Sequence, residues 1–162
     1  MDYLWSPWRY QYIKSGGTED GCVFCGIAES SEDDSNLVVY RGERNYVVLN
    51  RYPYTSGHAM VIPYEHDATL EGAPTATLEE MMRLTQRLEG ALRRQYRCEG
   101  VNMGMNVGQA AGAGVAGHIH MHVLPRWVAD ANFMTVIGET RVVPEELDQT
   151  LAKLRSEFSE TR

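Results

Sequence analysis

Several things are scarce in this chain, and each scarcity excludes a class. No apolar run approaches the roughly 20 residues that cross a bilayer, and no secretory stretch follows Met1, so we expect no membrane association and a cytoplasmic location. Positive charge is short: 15 Lys and Arg against 22 Asp and Glu give a net charge of −7. That balance argues against a broad basic face for nucleic acid. Cysteine is scarce too, with three residues in all. They make no disulfide framework, and the close pair Cys22 and Cys25 points instead to metal binding. There is neither an internal repeat nor a break in composition. With 43% hydrophobic and 23% charged residues, we expect one domain over residues 1–162. It divides into an N-terminal arm (1–20), a core (21–140) and a C-terminal helix (141–162).

The arm carries Tyr3, Trp5, Trp8, Tyr10 and Tyr12, aromatics suited to packing on the domain or on a partner subunit, or to stacking on a base in a nucleotide pocket. Beyond it, residues 37–40 and 46–49 read as a strand pair, 58–63 as a third strand, 101–107 as a fourth and 118–124 as a fifth. The acidic stretch 29–34 reads as a surface turn. Residues 74–97 form the main helix: Thr77 with Glu80 is a capping-box signature, and Leu78, Met81, Met82, Leu88 and Leu92 recur at helical spacing. Its Arg83, Arg87, Arg93 and Arg94 suggest a solvated face. A last helix spans 144–158, with Pro144 in its first turn. A meander of strands around one long helix predicts an α+β fold with a five-stranded antiparallel sheet.

Three of the five histidines, His118, His120 and His122, alternate with Ile119, Met121 and Val123. In a strand, alternation sends neighbouring side chains to opposite faces. The imidazoles would then share a face at spacings of roughly 6–7 Å along the strand. Such a row suits proton transfer, nucleophilic attack or metal binding. The preceding stretch 106–117 is glycine- and alanine-rich, which lets backbone N–H groups approach an anion. A phosphate cradle leading into imidazoles suggests attack on phosphorus, with an unprotonated imidazole as nucleophile.

The pattern of His118 to Leu124 resembles that of the histidine triad (HIT) family, His-φ-His-φ-His-φ-φ, at every position. Leu49-Asn50-Arg51-Tyr52-Pro53, Gly57-His58-Ala59-Met60-Val61-Ile62-Pro63 and Pro125-Arg126-Trp127 follow in the family's order. Leu4-Trp5-Ser6-Pro7-Trp8-Arg9 and Asn132-Phe133-Met134 resemble the bacterial branch similar to diadenosine tetraphosphate phosphorylases. The resemblance implies His120 as nucleophile, forming a nucleotidyl-histidine intermediate, with His122 donating to phosphate oxygens. It implies phosphate contacts from Asn106 and from the backbone of Gly112, Ala113 and Gly114, and ribose contacts from Asn50. A loop-closing role for Asn50 stands beside that one. His58 either lines the pocket or bonds a backbone carbonyl, and Arg126 and Trp127 either close the pocket or make a rim ion pair and a packed indole.

Zinc-containing relatives place two further ligands at positions matching His66 and His118, which with Cys22 and Cys25 would complete a structural Cys2His2 zinc site. Where many relatives carry a Gly-Gln-Ser/Thr stretch, this chain has Gly112-Ala113-Gly114-Val115. The smaller loop leaves room for inorganic phosphate and so favours the phosphorylase-like branch. The expected function is cleavage of adenosine polyphosphates, with phosphate or water as acceptor, and the resemblance implies a homodimer. The alternatives are a nucleoside phosphoramidase, a regulatory nucleotide-binding module with little turnover, and a catalytic zinc held by the triad itself.

Overall fold

The computed structural model describes residues 21–131 and 145–159. The arm, Asn132-Phe133-Met134 and Pro144 lie outside the described residues. Five strands form one antiparallel sheet: β1 (Val38–Arg41), β2 (Asn45–Leu49), β3 (Ala59–Pro63), β4 (Gly100–Gly104) and β5 (Met121–Arg126). Three helices accompany it: α1 (Val23–Glu29), α2 (Thr75–Tyr96) and α3 (Leu147–Ser159). The expected α+β class is the observed one.

The strand order is β1-β2-β3-β5-β4, not a plain meander. After β3, α2 carries the chain past one vacant position and sets β4 down at the edge. β5 then fills the gap, antiparallel to both neighbours. Every residue of β2 and β3 is buried, as befits strands covered on both faces. α2 packs across the sheet with Leu84, Leu88, Ala91 and Leu92, and Leu154 and Phe158 of α3 complete the core. Full burial of each large aliphatic side chain contributes roughly 1.5–3 kcal/mol.

Several sequence expectations need correction. The capping box does not form: α2 starts behind Pro74 with no side-chain cap. Thr77 Oγ1 donates to Glu65, and Glu80 instead accepts hydrogen bonds from Glu43 N–H, Arg44 N–H and Asn45 Nδ2 at 2.7–2.8 Å. Met82 is exposed. Arg87 and Arg94 are not simply solvated. Arg87 donates to the Phe158 carbonyl and lies over the rings of Tyr40 and Phe158, while Arg94 pairs with Glu157. Together they fasten α3 to α2.

α1 was not anticipated at all. Seven residues are too few to hold a helix alone, so its stability is tertiary. Arg41 donates to the carbonyls of Ile27, Ala28 and Ser30 at its C-terminal end, where carbonyls lack helical partners. The Tyr46 hydroxyl donates to the Phe24 carbonyl at 2.9 Å.

The histidine strand starts later than its alternation suggests. β5 begins at Met121, so His118 and His120 stand before it. Ile119 N–H donates to Asp67 O at 2.7 Å, which draws this segment out of the ladder with β3. His118, Ile119 and His120 are all buried, so the three imidazoles do not share one open face.

Candidate active site and metal centre

His120 and His122 sit at the mouth of β5 with ring centroids 4.9 Å apart, edge to face. His120 Nδ1 lies 2.8 Å from the His118 carbonyl oxygen. A carbonyl only accepts, so Nδ1 carries the proton and donates, and Nε2 presents its lone pair. Burial lowers the His120 pKa, against the pull of that carbonyl. The ring is therefore neutral with one free nitrogen.

His122 is held the opposite way. His58, 1% exposed, places Nε2 2.9 Å from His122 Nδ1, and Tyr54 N–H donates to His58 Nδ1 at 3.2 Å. A backbone N–H only donates, so His58 Nδ1 is the acceptor, its Nε2 carries the proton, and His122 Nδ1 receives it. His122 must then bear its own proton on Nε2. Burial and the neighbouring imidazoles lower the His58 pKa to about 3, and burial with His120 lowers that of His122 to about 4. The relay is neutral and directional, ending in an N–H at His122.

Asn50 joins this group. Its Oδ1 accepts from Tyr52 N–H at 2.9 Å, closing the loop, while Nδ2, itself a donor, lies 3.4 Å from the protonated His58 Nε2 and makes no hydrogen bond to it. It has the turn role and also a place beside the imidazoles. His58 is thus neither a lone structural histidine nor bonded to a backbone carbonyl. The sequence missed this because the contact joins residues 64 positions apart.

The glycine loop holds a short 3-10 turn, Gln109–Ala111, between Gly108 and Gly112, both at positive φ. Gly112 N–H and Ala113 N–H already bond the carbonyls of Gln109 and Gly108. Gly114 N–H makes no such bond within the turn. Asn106 is exposed two residues past β4. Among the described residues, no hydrogen bond joins this loop or Asn106 to the imidazoles. Arg126 is held by Asp130 and Asn102, and Trp127 Nε1 donates to Tyr96 O; they form a rim ion pair and a packed indole.

On the other side of His118 lies a second cluster. One ligand atom from each of Cys22, Cys25, His66 and His118 falls within 4.8 Å of all the others. His118 Nε2 donates to Pro63 O at 2.9 Å, which turns the Nδ1 lone pair toward the sulfurs. His118 Nδ1 lies 3.4 Å from Cys22 Sγ and 3.7 Å from Cys25 Sγ, and His66 Nδ1 lies 3.2 Å from Cys25 Sγ. A tetrahedral ion with M–S of 2.3 Å and M–N of 2.0–2.1 Å would set S···N edges of about 3.5 Å. The cluster fits such an ion, and the carbonyl behind His118 is the outer contact that fixes a metal-binding tautomer. These four residues can bind a metal.

A five-stranded antiparallel sheet under one long helix, with His-x-His-x-His entering a central strand, defines the HIT class. Residues 31–128 match the family model described as the HIT domain, and the chain belongs to that family. An AP-4-A phosphorylase of Mycobacterium tuberculosis is 38% identical over 167 residues, 98% of this chain and 85% of that one. A Zn-bound histidine triad family protein from Mycobacterium smegmatis superposes with a TM-score of 0.71 at 30% identity, covering 86% and 94% of the two chains. An adenylylsulfatase of Arabidopsis thaliana is 29% identical over 70% of this chain and 56% of that one. Family and relatives support nucleotide-processing activity. Among the described residues, no helix is long and apolar enough to cross a membrane.

Proposed function

We propose that this protein cleaves dinucleoside polyphosphates of the diadenosine tetraphosphate type by nucleotidyl transfer through His120. One observation carries the proposal: the His118 carbonyl holds the proton on Nδ1 of a neutral, buried His120, which frees the Nε2 lone pair for phosphorus. Nε2 forms a bond to the α-phosphorus as the bridging P–O bond breaks, and the electron pair departs with the nucleoside polyphosphate. His122 Nε2–H donates to the charge that develops on the phosphate oxygens. In the second step an acceptor oxygen forms the new P–O bond and the P–N bond to His120 breaks. Phosphate as acceptor yields a nucleoside diphosphate, water a monophosphate.

Asn50 serves the sugar hydroxyls in this reading. Asn106 and the backbone of Gly112, Ala113 and Gly114 line the phosphates, with Gly114 N–H the donor not engaged in the turn. Zinc at Cys22, Cys25, His66 and His118 is structural, leaving no coordination position open to substrate. The active species is a cytoplasmic homodimer, and the outer edge of β4, unpaired among the described residues and carrying exposed Met103, supports a second copy there. The adenylylsulfatase relative supports a second reading, in which the same histidine intermediate forms with a different leaving group.

Product analysis on diadenosine tetraphosphate tests the proposal. ATP leaves first; added phosphate should convert the second product from AMP to ADP. His120→Asn should lower turnover by at least about 10⁴-fold with the fold intact. Full turnover in that variant would refute the assignment.

A further inference from the structure

We propose that Phe24 is a positioning residue that couples the metal cluster to the ring of His120. It stands between the two thiols of the cluster, in the short helix they anchor, and is 5% exposed. Its ring meets two histidines at once. The centroid lies 5.5 Å from that of His118, edge-on at 84°, and 5.0 Å from that of His120, tilted at 56°. These are distances at which aromatic rings pack with orientational preference.

The anchorage explains why this contact matters. His120 has its Nδ1 fixed by the His118 carbonyl, but one hydrogen bond leaves a ring free to swing about it. Further constraint must come from packing, and two rings supply it: His122 at 4.9 Å and Phe24 at 5.0 Å. Phe24 belongs to the buried core, and the backbone that carries it is gripped by the Tyr46 hydroxyl on its carbonyl, the Arg41 guanidinium on the following carbonyls, and Cys22 and Cys25 at the cluster. A metal there ties α1 to His118 and presses the Phe24 ring onto His120. The cluster thereby bears on the His120 ring twice, through the His118 carbonyl at Nδ1 and through the Phe24 ring at its face.

This inference rests on His120 being the nucleophile, but its test does not. Zinc-loaded wild type, Phe24→Ala and Phe24→Leu should be compared by metal content and by the NMR signals of the His120 ring. Both variants should keep one zinc per chain. The loss of the Phe24 ring current shifts the His120 ring protons in any case, so the readout is mobility: the His120 ring signals should broaden in both variants, most in Phe24→Ala. In turnover, kcat should fall by about tenfold or more in Phe24→Ala with KM within about twofold, as expected for misaimed rather than lost chemistry, and Phe24→Leu should recover part of it. Unchanged His120 linewidths and unchanged kcat in a zinc-loaded Phe24→Ala protein would overturn the proposal. If Phe24→Ala does not fold, Phe24→Leu and chelated wild type decide instead. Wild type stripped by a chelator should show the same His120 signal changes, and retention of the original signals would overturn the coupling. Loss of activity in His120→Asn, measured separately, tells whether the nucleophile assignment stands.

Discussion

His120 and His122 are two residues apart and carry their protons on opposite nitrogens, and their neighbours dictate this. His120 donates from Nδ1 to a carbonyl; His122 accepts at Nδ1 from His58. One ring is left with a lone pair and the other with an N–H, the complementary pair that transfer at phosphorus uses. Burial holds the pKa of His120 below its ordinary 6.5, so the ring proposed as nucleophile keeps its lone pair to lower pH than a free imidazole does. The acid limb of kcat/KM should therefore fall below pH 6.5, and a pH profile with a limb at or above 6.5 would contradict it. His58→Asn should lower kcat by about tenfold with little change in KM, because it frees His122 to take the wrong tautomer. The triad was legible because alternation in seven consecutive residues is a strong local signal. His58 was not, since its role comes from the β3–β5 register, which sets Met60 opposite His122, and no local spacing encodes that register.

At the scale of elements, the β1–β2 turn depends on one carboxylate of α2. Glu80 accepts from Glu43 N–H, Arg44 N–H and Asn45 Nδ2. Burial pushes its pKa up, but the hydrogen bonds from Asn45, Glu43 and Arg44 outweigh this and hold it below the ordinary value. The turn is tight besides: a Cβ on Gly42 would stand 2.7 Å from Asn45 O. Glu80→Gln keeps the shape but turns an NH2 toward donors. It should cost about 2 kcal/mol, seen as a melting temperature lower by about 4–8 °C; an unchanged melting temperature would show the contact to be dispensable. The same residue shows where sequence reasoning misleads. Thr77 and Glu80 have capping-box spacing, yet the buried turn outcompetes the helix end for the carboxylate. The long helices and all five strands were readable because their apolar periodicity is local, with only the start of β5 displaced. α1 was not, because its seven residues are helical through distant partners: the core against which Phe24, Ile27 and Ala28 pack, and the Arg41 and Tyr46 side chains on its carbonyls.

Across the whole molecule, a metal at the cluster would act as a cross-link: Cys22 and Cys25 at α1 reach His66 after β3 and His118 before β5, up to 96 positions away. A metal that binds only the folded chain stabilises it by about 4 kcal/mol at a thousandfold excess over its Kd. Chelation should then lower the melting temperature by about 8–16 °C, and Cys25→Ser should abolish that response. Acid acts separately, through the relay. The folded pKa values of His58 and His122, about 3 and about 4, lie below the ordinary 6.5. The unfolded chain therefore takes up protons first, and stability present above pH 6.5 is lost as pH falls toward 4. Each histidine contributes at most about 1.4 kcal/mol per pH unit in that window. Chelated protein is the clean test, since no metal is left for acid to release. Its denaturant midpoint should fall steadily from pH 7 to 5, before Glu80 begins to protonate, and the slope should be smaller in His58→Asn. A midpoint that stays flat over that range would mean the relay histidines are not held neutral by the fold.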